Sequence, residues 1–434
     1  MPIPIVCLDA RLRQFVLAFR SCFNQPQMQY FVTVLLGLML CQERRTLSGL
    51  QRQVAEHRSL SGLSRFLAEA PWSAETVAQT WLARFRDQLS PMVEADQRHQ
   101  RQTRPTRPGR PPSPIVTGYL VGDDSTQPKD KAQTMGGLGW HHSTTVGRRV
   151  VGHSLVQGLY VLLGRRCPVA PQLYRQRGTC QAEDVPFHSK IDLMEDLIRT
   201  FEPVAGTRTH VLVDTWYAAK RIWRAARARG FLITSGLKSN RALRVDDPTS
   251  QSGWRWQTLS QYAATLSEAD YTPQTWPSPT EPHPVYVHIV QTRVRRLYRC
   301  QVLIVRQSLT APLSEARFFA SSDVKATPSQ LLVHLATRWE VEILFADAKE
   351  ELGLDHYQVM SATAIVRFWT LVMAAYLFLD EERARLRETQ QDHVTIGQAR
   401  REVQRRHRRH LIDWLVDHVE AGCSRHALYD RLAA

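Results

Sequence analysis

The sequence has few cysteines and no apolar run long enough to cross a membrane. Only seven cysteines occur among 434 residues, and no two lie close together, which argues against a disulfide framework or a zinc site. The apolar runs at 31–41 and 368–379 fall short of the roughly 20 residues that a membrane span needs, so we expect buried helices there. The N-terminus lacks the pattern of a secretory signal. We therefore expect a cytoplasmic protein with no membrane partner.

Acidic residues are also scarce relative to basic ones. The chain has 41 Asp and Glu against 56 Lys and Arg, a net charge of +15, and arginine far outnumbers lysine. Guanidinium groups bind phosphate in a bidentate manner, so this excess favours a polyanionic partner, most simply nucleic acid. A membrane surface is the competing partner. The hydrophobic content of 43% is ordinary for a globular protein with a large core.

Composition and periodicity divide the chain into six segments. Apolar residues at helical spacing predict an N-terminal helical domain, which we expect to bind DNA, although core-forming helices give the same pattern. Further along, apolar runs of strand length alternate with helical periodicity, which predicts an α/β core. The segments are the helical domain at 1–96, an arginine- and proline-rich arm at 97–114, the first part of the core at 115–237, a β-rich insertion at 238–314, the second part of the core at 315–380, and a helical C-terminal region at 381–434.

The arm carries an arginine at every third position. Prolines exclude a regular helix from its second half and favour polyproline II, whose three residues per turn would set the arginines in one row. Such a row fits DNA phosphates or a narrow minor groove, so we predict that it binds DNA, with a merely soluble linker as the alternative. The arginines are Arg98, Arg101, Arg104, Arg107 and Arg110.

Three acidic residues stand out by their positions in the predicted core. Asp124 follows a strand predicted at 115–121, Asp214 ends a strand predicted at 210–213, and Glu342 lies on a long helix that begins near 328. Open α/β sheets place their sites at the carboxyl ends of strands, so these carboxylates can converge. Carboxylate oxygens suit Mg²⁺ or Mn²⁺, and two such ions catalyse phosphoryl transfer on nucleic acid. Asp123 is the alternative first ligand.

These motifs resemble those of cut-and-paste transposases of bacterial insertion sequences, which carry an Asp-Asp-Glu triad on a ribonuclease H-like fold. In that group the glutamate sits in a motif of Tyr, two residues, Arg, three residues, Glu, six residues and Lys. Arg338, Glu342 and Lys349 match this spacing, whereas Leu335 stands at the tyrosine position. The first two motifs match DDST at 123–126 and VLVDTWYAAKRI around Asp214. The separations, 214 − 124 = 90 and 342 − 214 = 128 residues, leave room for an insertion in the second interval.

The resemblance implies a fold, an activity and partners. The expected fold is an α/β, ribonuclease H-like mixed sheet with helices on both faces, interrupted by the β-rich insertion and flanked by helical N- and C-terminal regions. Asp124, Asp214 and Glu342 would hold two divalent metal ions. Water would cleave the transposon end to free a 3′ hydroxyl, which then attacks target DNA. Arg338 and Lys349 would contact phosphates, and a homodimer would act on paired ends in the bacterial cytoplasm, at the nucleoid.

Several alternatives stay open at this point. The protein could be a transposase-derived DNA-binding protein that needs no catalysis, or a nuclease of the same fold that cuts without joining. Leu335 leaves the excision intermediate open, because the tyrosine of many relatives helps to organise a DNA hairpin. We expect Trp216 to pack beneath the site, with stacking on a base as the alternative.

Overall fold

The computed structural model describes residues 8–52, 59–103, 114–143, 146–278, 281–390 and 393–433. Its N-terminal region is helical, as predicted. Several of these helices begin at a polar residue, for example Asp9, Asn24 and Ser59, whose side-chain oxygen accepts a backbone N–H of the first turn. The helices are α1 (Ala10–Leu17), α2 (Gln25–Leu40), α3 (Leu47–Gln51), α4 (Leu60–Ala68) and α5 (Ala74–Thr103).

Helix α5 corrects the predicted start of the arm. It continues to Thr103, so residues 97–103 are helical, and Arg98 and Arg101 lie on a helix instead of in an extended row. A helix is possible here because no proline occurs between Pro91 and Pro105. The other arginines of the predicted row, Arg104, Arg107 and Arg110, lie outside the described residues.

The central sheet is mixed, with an antiparallel neighbour on one side of β1 (Val116–Pro128) and a parallel neighbour on the other. β1 pairs antiparallel with β3 (Arg148–Leu162), which pairs with β2 (Gly139–Ser143). On its other side, β1 runs parallel to β6 (Thr207–Val213), which runs parallel to β7 (Leu232–Leu237). The predicted fold class, a mixed sheet flanked by helices, is confirmed. This part of the chain contains β1 (Val116–Pro128), β2 (Gly139–Ser143), β3 (Arg148–Leu162), β4 (Arg165–Pro168), β5 (Gln172–Tyr174), α6 (Arg177–Ala182), α7 (Lys190–Thr200), β6 (Thr207–Val213), α8 (Lys220–Ala228) and β7 (Leu232–Leu237).

Strand β1 is longer than the sequence predicted. The predicted strand ended at residue 121, whereas β1 stays paired with β3 as far as Pro128, opposite Gly152. Its pairing with β6 does end early, at Gly122 opposite Val213. Asp123 and Asp124 therefore lie within a strand, at the point where its edge toward β6 becomes free.

The β-rich insertion continues the central sheet. β13 pairs antiparallel with β7, and β12, β11 and β10 follow outward, while β8 and β9 form a separate two-stranded sheet. The sequence predicted the β character of this segment but not its continuity with the core sheet. The elements of the insertion are β8 (Ala242–Asp246), β9 (Trp254–Thr258), α9 (Leu259–Ala264), β10 (Thr272–Trp276), β11 (His283–Arg293) and β12 (Arg299–Arg306). Strand β13 (Arg317–Ser321) lies in the second part of the core.

The C-terminal part is helical, and the long helix predicted from Pro328 is in fact two helices. The N–H of Trp339 bonds to the carbonyl of Ala336 at 3.1 Å, a tight three-residue turn that separates them. The helices are α10 (Pro328–Arg338), α11 (Glu340–Leu352), α12 (Ala362–Gln390), α13 (Ile396–Glu420) and α14 (Arg425–Ala433).

Helix α12 forms the centre of the core. It is long and apolar enough to cross a membrane, but 78% of its most apolar window is buried inside the protein. It contacts α2, α4 and α5 on one side and β4 on another. The two predicted buried helices, at 31–41 within α2 and at 368–379 within α12, are therefore confirmed.

Helices cover both faces of the sheet and thereby fix where side chains of β1 point. Gly122 faces α7, where Met194 lies against it, whereas the ring of Tyr119 lies 5.6 Å from that of His334 on α10. Successive strand residues alternate between faces. Even-numbered residues of β1 thus face α7, and odd-numbered ones face α10 and α11.

Candidate active site

Asp123 and Asp124 are neighbours in sequence but point to opposite faces of the sheet. One carboxylate oxygen of Asp123 lies 3.6 Å from a guanidinium nitrogen of Arg338, at the end of α10. Asp124 instead pairs with the ammonium group of Lys190, the first residue of α7. The alternation of β1 thus separates two carboxylates that a sequence motif cannot tell apart.

Asp123 lies in an electrostatically unfavourable position. Its side chain is 17% exposed. Burial, and next the charge of Asp214, raise its pKa to about 7; a hydrogen bond from the Asp124 N–H (2.8 Å) and the nearby Arg338 offset only part of this. A carboxylate held in this way gains by binding a cation.

Asp124 has both carboxylate oxygens occupied by protein donors. Oδ2 accepts from Lys190, and Oδ1 accepts from the Tyr217 hydroxyl at 2.9 Å. Burial and the charge of Asp124 raise the pKa of Tyr217, so this hydroxyl stays protonated and donates. The arrangement is a satisfied hydrogen-bond network.

Asp214 directly follows β6 and is held by its own loop. Its Oδ1 accepts the N–H groups of Trp216 at 2.9 Å and Tyr217 at 3.1 Å. Burial raises its pKa, while the Tyr217 N–H and the Arg338 charge act in the opposite direction. Tyr217 therefore connects two acidic residues, since its backbone holds Asp214 and its hydroxyl holds Asp124.

Arg338 and Glu342 meet across the break between α10 and α11. A nitrogen of Arg338 lies 2.8 Å from Glu342 Oε1, which confirms that the two side chains share a face. Because its other terminal nitrogen is near Asp123, the guanidinium lies between Asp123 and Glu342. Lys349 lies further along α11, where burial lowers its pKa.

One cleft of about 1330 Å³ gathers these side chains. It contains all three predicted carboxylates and both predicted phosphate contacts of the motif; Arg98 and Arg101, on α5, do not line it. The lining of the cleft includes the charged residues Asp123, Asp124, Asp214, Arg338, Glu342 and Lys349.

The donor set of the cleft fits a hard divalent cation, although it is not assembled as a metal site. Within the described ranges, no three His, Cys, Asp or Glu side chains are grouped so as to hold a metal ion. The oxygens of Asp123, Asp214 and Glu342 are the type that Mg²⁺ binds. Oε1 of Glu342 is engaged by Arg338, so a cation that bound this oxygen would compete with the ion pair.

Two apolar residues of the cleft differ in their roles. Trp216 is 63% exposed, so the expectation that it packs beneath the site is wrong. Its side chain projects from the loop after β6, and its backbone N–H donates to Asp214. Leu335, at the tyrosine position of the motif, is 4% exposed and belongs to an apolar cluster with Leu303 and Val305.

The sequence of the chain matches the profile of a known protein family. The sequence profile described as "DDE superfamily endonuclease" matches residues 18–300, more than half of the chain. The chain belongs to the DDE superfamily of endonucleases. The predicted function, a DNA transposase, is confirmed at the level of this family, and the predicted use of divalent metal ions is confirmed as a property of the family. No curated protein matches the chain.

One solved structure resembles this DDE endonuclease over most of its length. It is described as a cryo-EM structure of piggyBac transposase synaptic complex with hairpin DNA. The TM-score is 0.42 at 10% sequence identity, and the match covers 98% of this chain and 80% of that one.

Sequence reasoning missed two residues of the DDE endonuclease's cleft. Lys190 begins α7 after the capping residue Ser189, with no motif of its own. Tyr217 stands inside the quoted second motif, but only the folded loop shows that it joins Asp214 to Asp124. A basic residue at a helix start and a tyrosine three residues after the aspartate were the available signals.

Proposed function

We propose that this DDE endonuclease is the cut-and-paste transposase of a bacterial insertion sequence, which cleaves transposon ends and joins the 3′ hydroxyl to target DNA. The observation that carries the proposal is the shared cleft, in which acidic residues from β1, from the end of β6 and from α11 lie beside Arg338 and Lys349. Carboxylates beside cations suit phosphodiester chemistry, which needs both metal and phosphate ligands.

We assign the metal ligands as Asp123, Asp214 and Glu342. The sequence motif favoured Asp124, but its oxygens already accept from Lys190 and Tyr217. Asp123 faces α10 and α11, and Glu342 lies on α11. The pKa of Asp123 is raised by burial and, next, by the charge of Asp214. When bound, two Mg²⁺ ions would supply an activated nucleophile and stabilise the leaving oxygen.

The remaining cleft residues bind and orient the DNA. Arg338, once Glu342 leaves it, presents a guanidinium to a phosphate next to the scissile bond. Lys349 lines the same cleft and forms no ion pair with any described residue. Trp216 offers an exposed ring on which an unpaired base at the DNA end can stack.

Partners and assembly follow from the reaction. Two transposon ends must be cut and joined together, so we propose a homodimer on paired ends. The helical N-terminal region and the arginines of residues 98–110 would bind the end DNA outside the cleft. Leu335 carries no hydroxyl and is buried in an apolar cluster, so it cannot take the role of the tyrosine in organising a hairpin.

The test uses duplexes that copy the genomic DNA on either side of the gene. Purified protein with Mg²⁺ should nick one of them at a single position, and Asp214→Asn should abolish nicking while DNA binding persists. Pre-nicked ends incubated with a plasmid should give strand-transfer products. Nicking without such products would identify a nuclease that cuts without joining, and DNA binding without nicking would identify a non-catalytic DNA-binding protein.

A further inference from the structure

Helix α8 carries a row of cations that have no acidic partner among the described residues. Its buried side consists of Ile222, Trp223, Ala225 and Ala226. The opposite side exposes Lys220, Arg224 and Arg227, spaced four and three residues apart and thus on one face. None of these three forms an ion pair with a described residue.

The other two arginines of this helix region behave differently. Arg221 contacts Asp192 at 2.6 Å and Glu195 at 2.5 Å, and Arg229 contacts Glu202 at 2.8 Å. Arg221 and Arg229 therefore have carboxylates beside them. Among the described residues, none lies beside the exposed row. The row is selectively unpaired.

The unpaired row is unfavourable for the isolated helix. Like charges three or four residues apart repel each other. The first turn of α8 contains Lys220 and Arg221 but no acidic residue, although the positive end of the helix dipole favours an anion there. An anionic ligand outside the chain would remove both penalties.

The turn between β11 and β12 extends this surface. Arg295 and Arg296 are exposed at its tip, and Tyr298 beside them lies under the guanidinium of Arg227 at 4.3 Å. Arg241 bonds to the carbonyl of Ala218 at 2.9 Å, in the loop that follows Asp214. The cations thus extend from the loop of the candidate active site to the far end of α8.

We propose that this surface, formed by the exposed face of α8 and the β11–β12 turn, binds the phosphate backbone of duplex DNA leading away from the cleft. The inference rests on the proposed function only in naming DNA as the partner. Apart from the cations, the exposed positions of α8 carry alanine, with no amide or carboxylate that could bind a base edge.

The test measures affinity for a 30-base-pair duplex of unrelated sequence, by fluorescence anisotropy in EDTA, across a range of salt concentrations. The double variant Arg224→Gln, Arg227→Gln should bind roughly tenfold more weakly at ~0.1 M salt. The slope of log K against log salt should become shallower by about 2, because each phosphate contact that is lost means about one fewer counterion released on binding. Arg221→Gln removes one charge from the same helix, but one that is already paired, and should bind like the wild type. Arg224→Lys with Arg227→Lys should retain most of the wild-type affinity, because lysine keeps both positive charges.

Other outcomes would overturn the inference. If the double variant binds DNA as Arg221→Gln does, the surface is not a DNA contact. If it instead loses binding to poly-glutamate or to duplex RNA while keeping its affinity for DNA, the partner is an acidic protein or RNA. Because no cleavage is measured, wild-type binding that depends on Arg224 and Arg227 would stand even if Mg²⁺-dependent nicking were never found.

Discussion

Asparagine at position 123 should stabilise the metal-free protein at neutral pH. A pKa of about 7 in place of 3.8 means that the folded carboxyl keeps its proton where the unfolded one has lost it. At about 1.4 kcal/mol per pKa unit, the ionised group destabilises the fold by at most roughly 4 kcal/mol. This cost is absent below pH 3.8, grows as the pH rises toward 7, and is complete at pH 8. Removing the charge should raise Tm by roughly 2 to 4 °C at pH 8 and by much less at pH 5.

The same variant should also lose the response to metal. Mg²⁺ at ten times its Kd stabilises a folded protein by about 1.4 kcal/mol, and Asp123→Asn should reduce this shift by at least half. Asp124→Asn should instead lower Tm, since Lys190 loses its partner, but keep the Mg²⁺ response. Thermal denaturation at pH 5 and pH 8, with EDTA or Mg²⁺, measures both effects. A full Mg²⁺ shift in Asp123→Asn together with its loss in Asp124→Asn would refute our ligand assignment.

Three further predictions test the surroundings of the site. Glu342→Gln should reduce nicking by at least about 10³-fold with little change in Tm, because the glutamate is partly exposed and paired with Arg338; a nicking assay and a melting curve check this. Tyr217→Phe removes the hydroxyl bound to Asp124 and should lower kcat more than DNA affinity, whereas an unchanged kcat would contradict a positioning role. Asp380→Ala leaves Arg165 and Arg383 unpaired inside the protein and should cost about 3 to 5 kcal/mol, seen as a lower denaturant midpoint; a loss under about 1 kcal/mol would contradict it.

Periodicity and motif spacing predicted most of the elements that carry the site. Apolar runs that end in an acidic residue located β1 and β6, because buried strands are nearly all apolar and the site polar groups follow them. The spacing of Arg338 and Glu342 predicted a shared face, since four residues are close to one helical turn. These are local properties, and local sequence determines them.

The features that the sequence did not predict depend on long-range contacts. Which of Asp123 and Asp124 faces Glu342 depends on which face of the sheet α11 covers. The exposure of Trp216 depends on a loop held by Asp214, and the length of β1 depends on its pairing with β3. The helical start of the arm follows from a local feature instead: no proline occurs between Pro91 and Pro105, so the helix continues past the first arginines of the row.

The guanidinium of Arg338 lies between Asp123 and Glu342. In the proposed transposase it would couple the binding of a metal ion to the binding of a DNA phosphate. While it bridges them, Arg338 acts as an internal counter-ion, so the two acidic groups do not repel each other freely. Under the proposed ligand assignment, a divalent ion that displaced Arg338 from Glu342 would free the arginine for a phosphate. A phosphate that drew the arginine away would likewise free Glu342 for the ion. Reciprocity would then require that DNA raise the affinity for the metal by the same factor as the metal raises the affinity for DNA, so the metal ions would bind most tightly when the strand to be cut is in place.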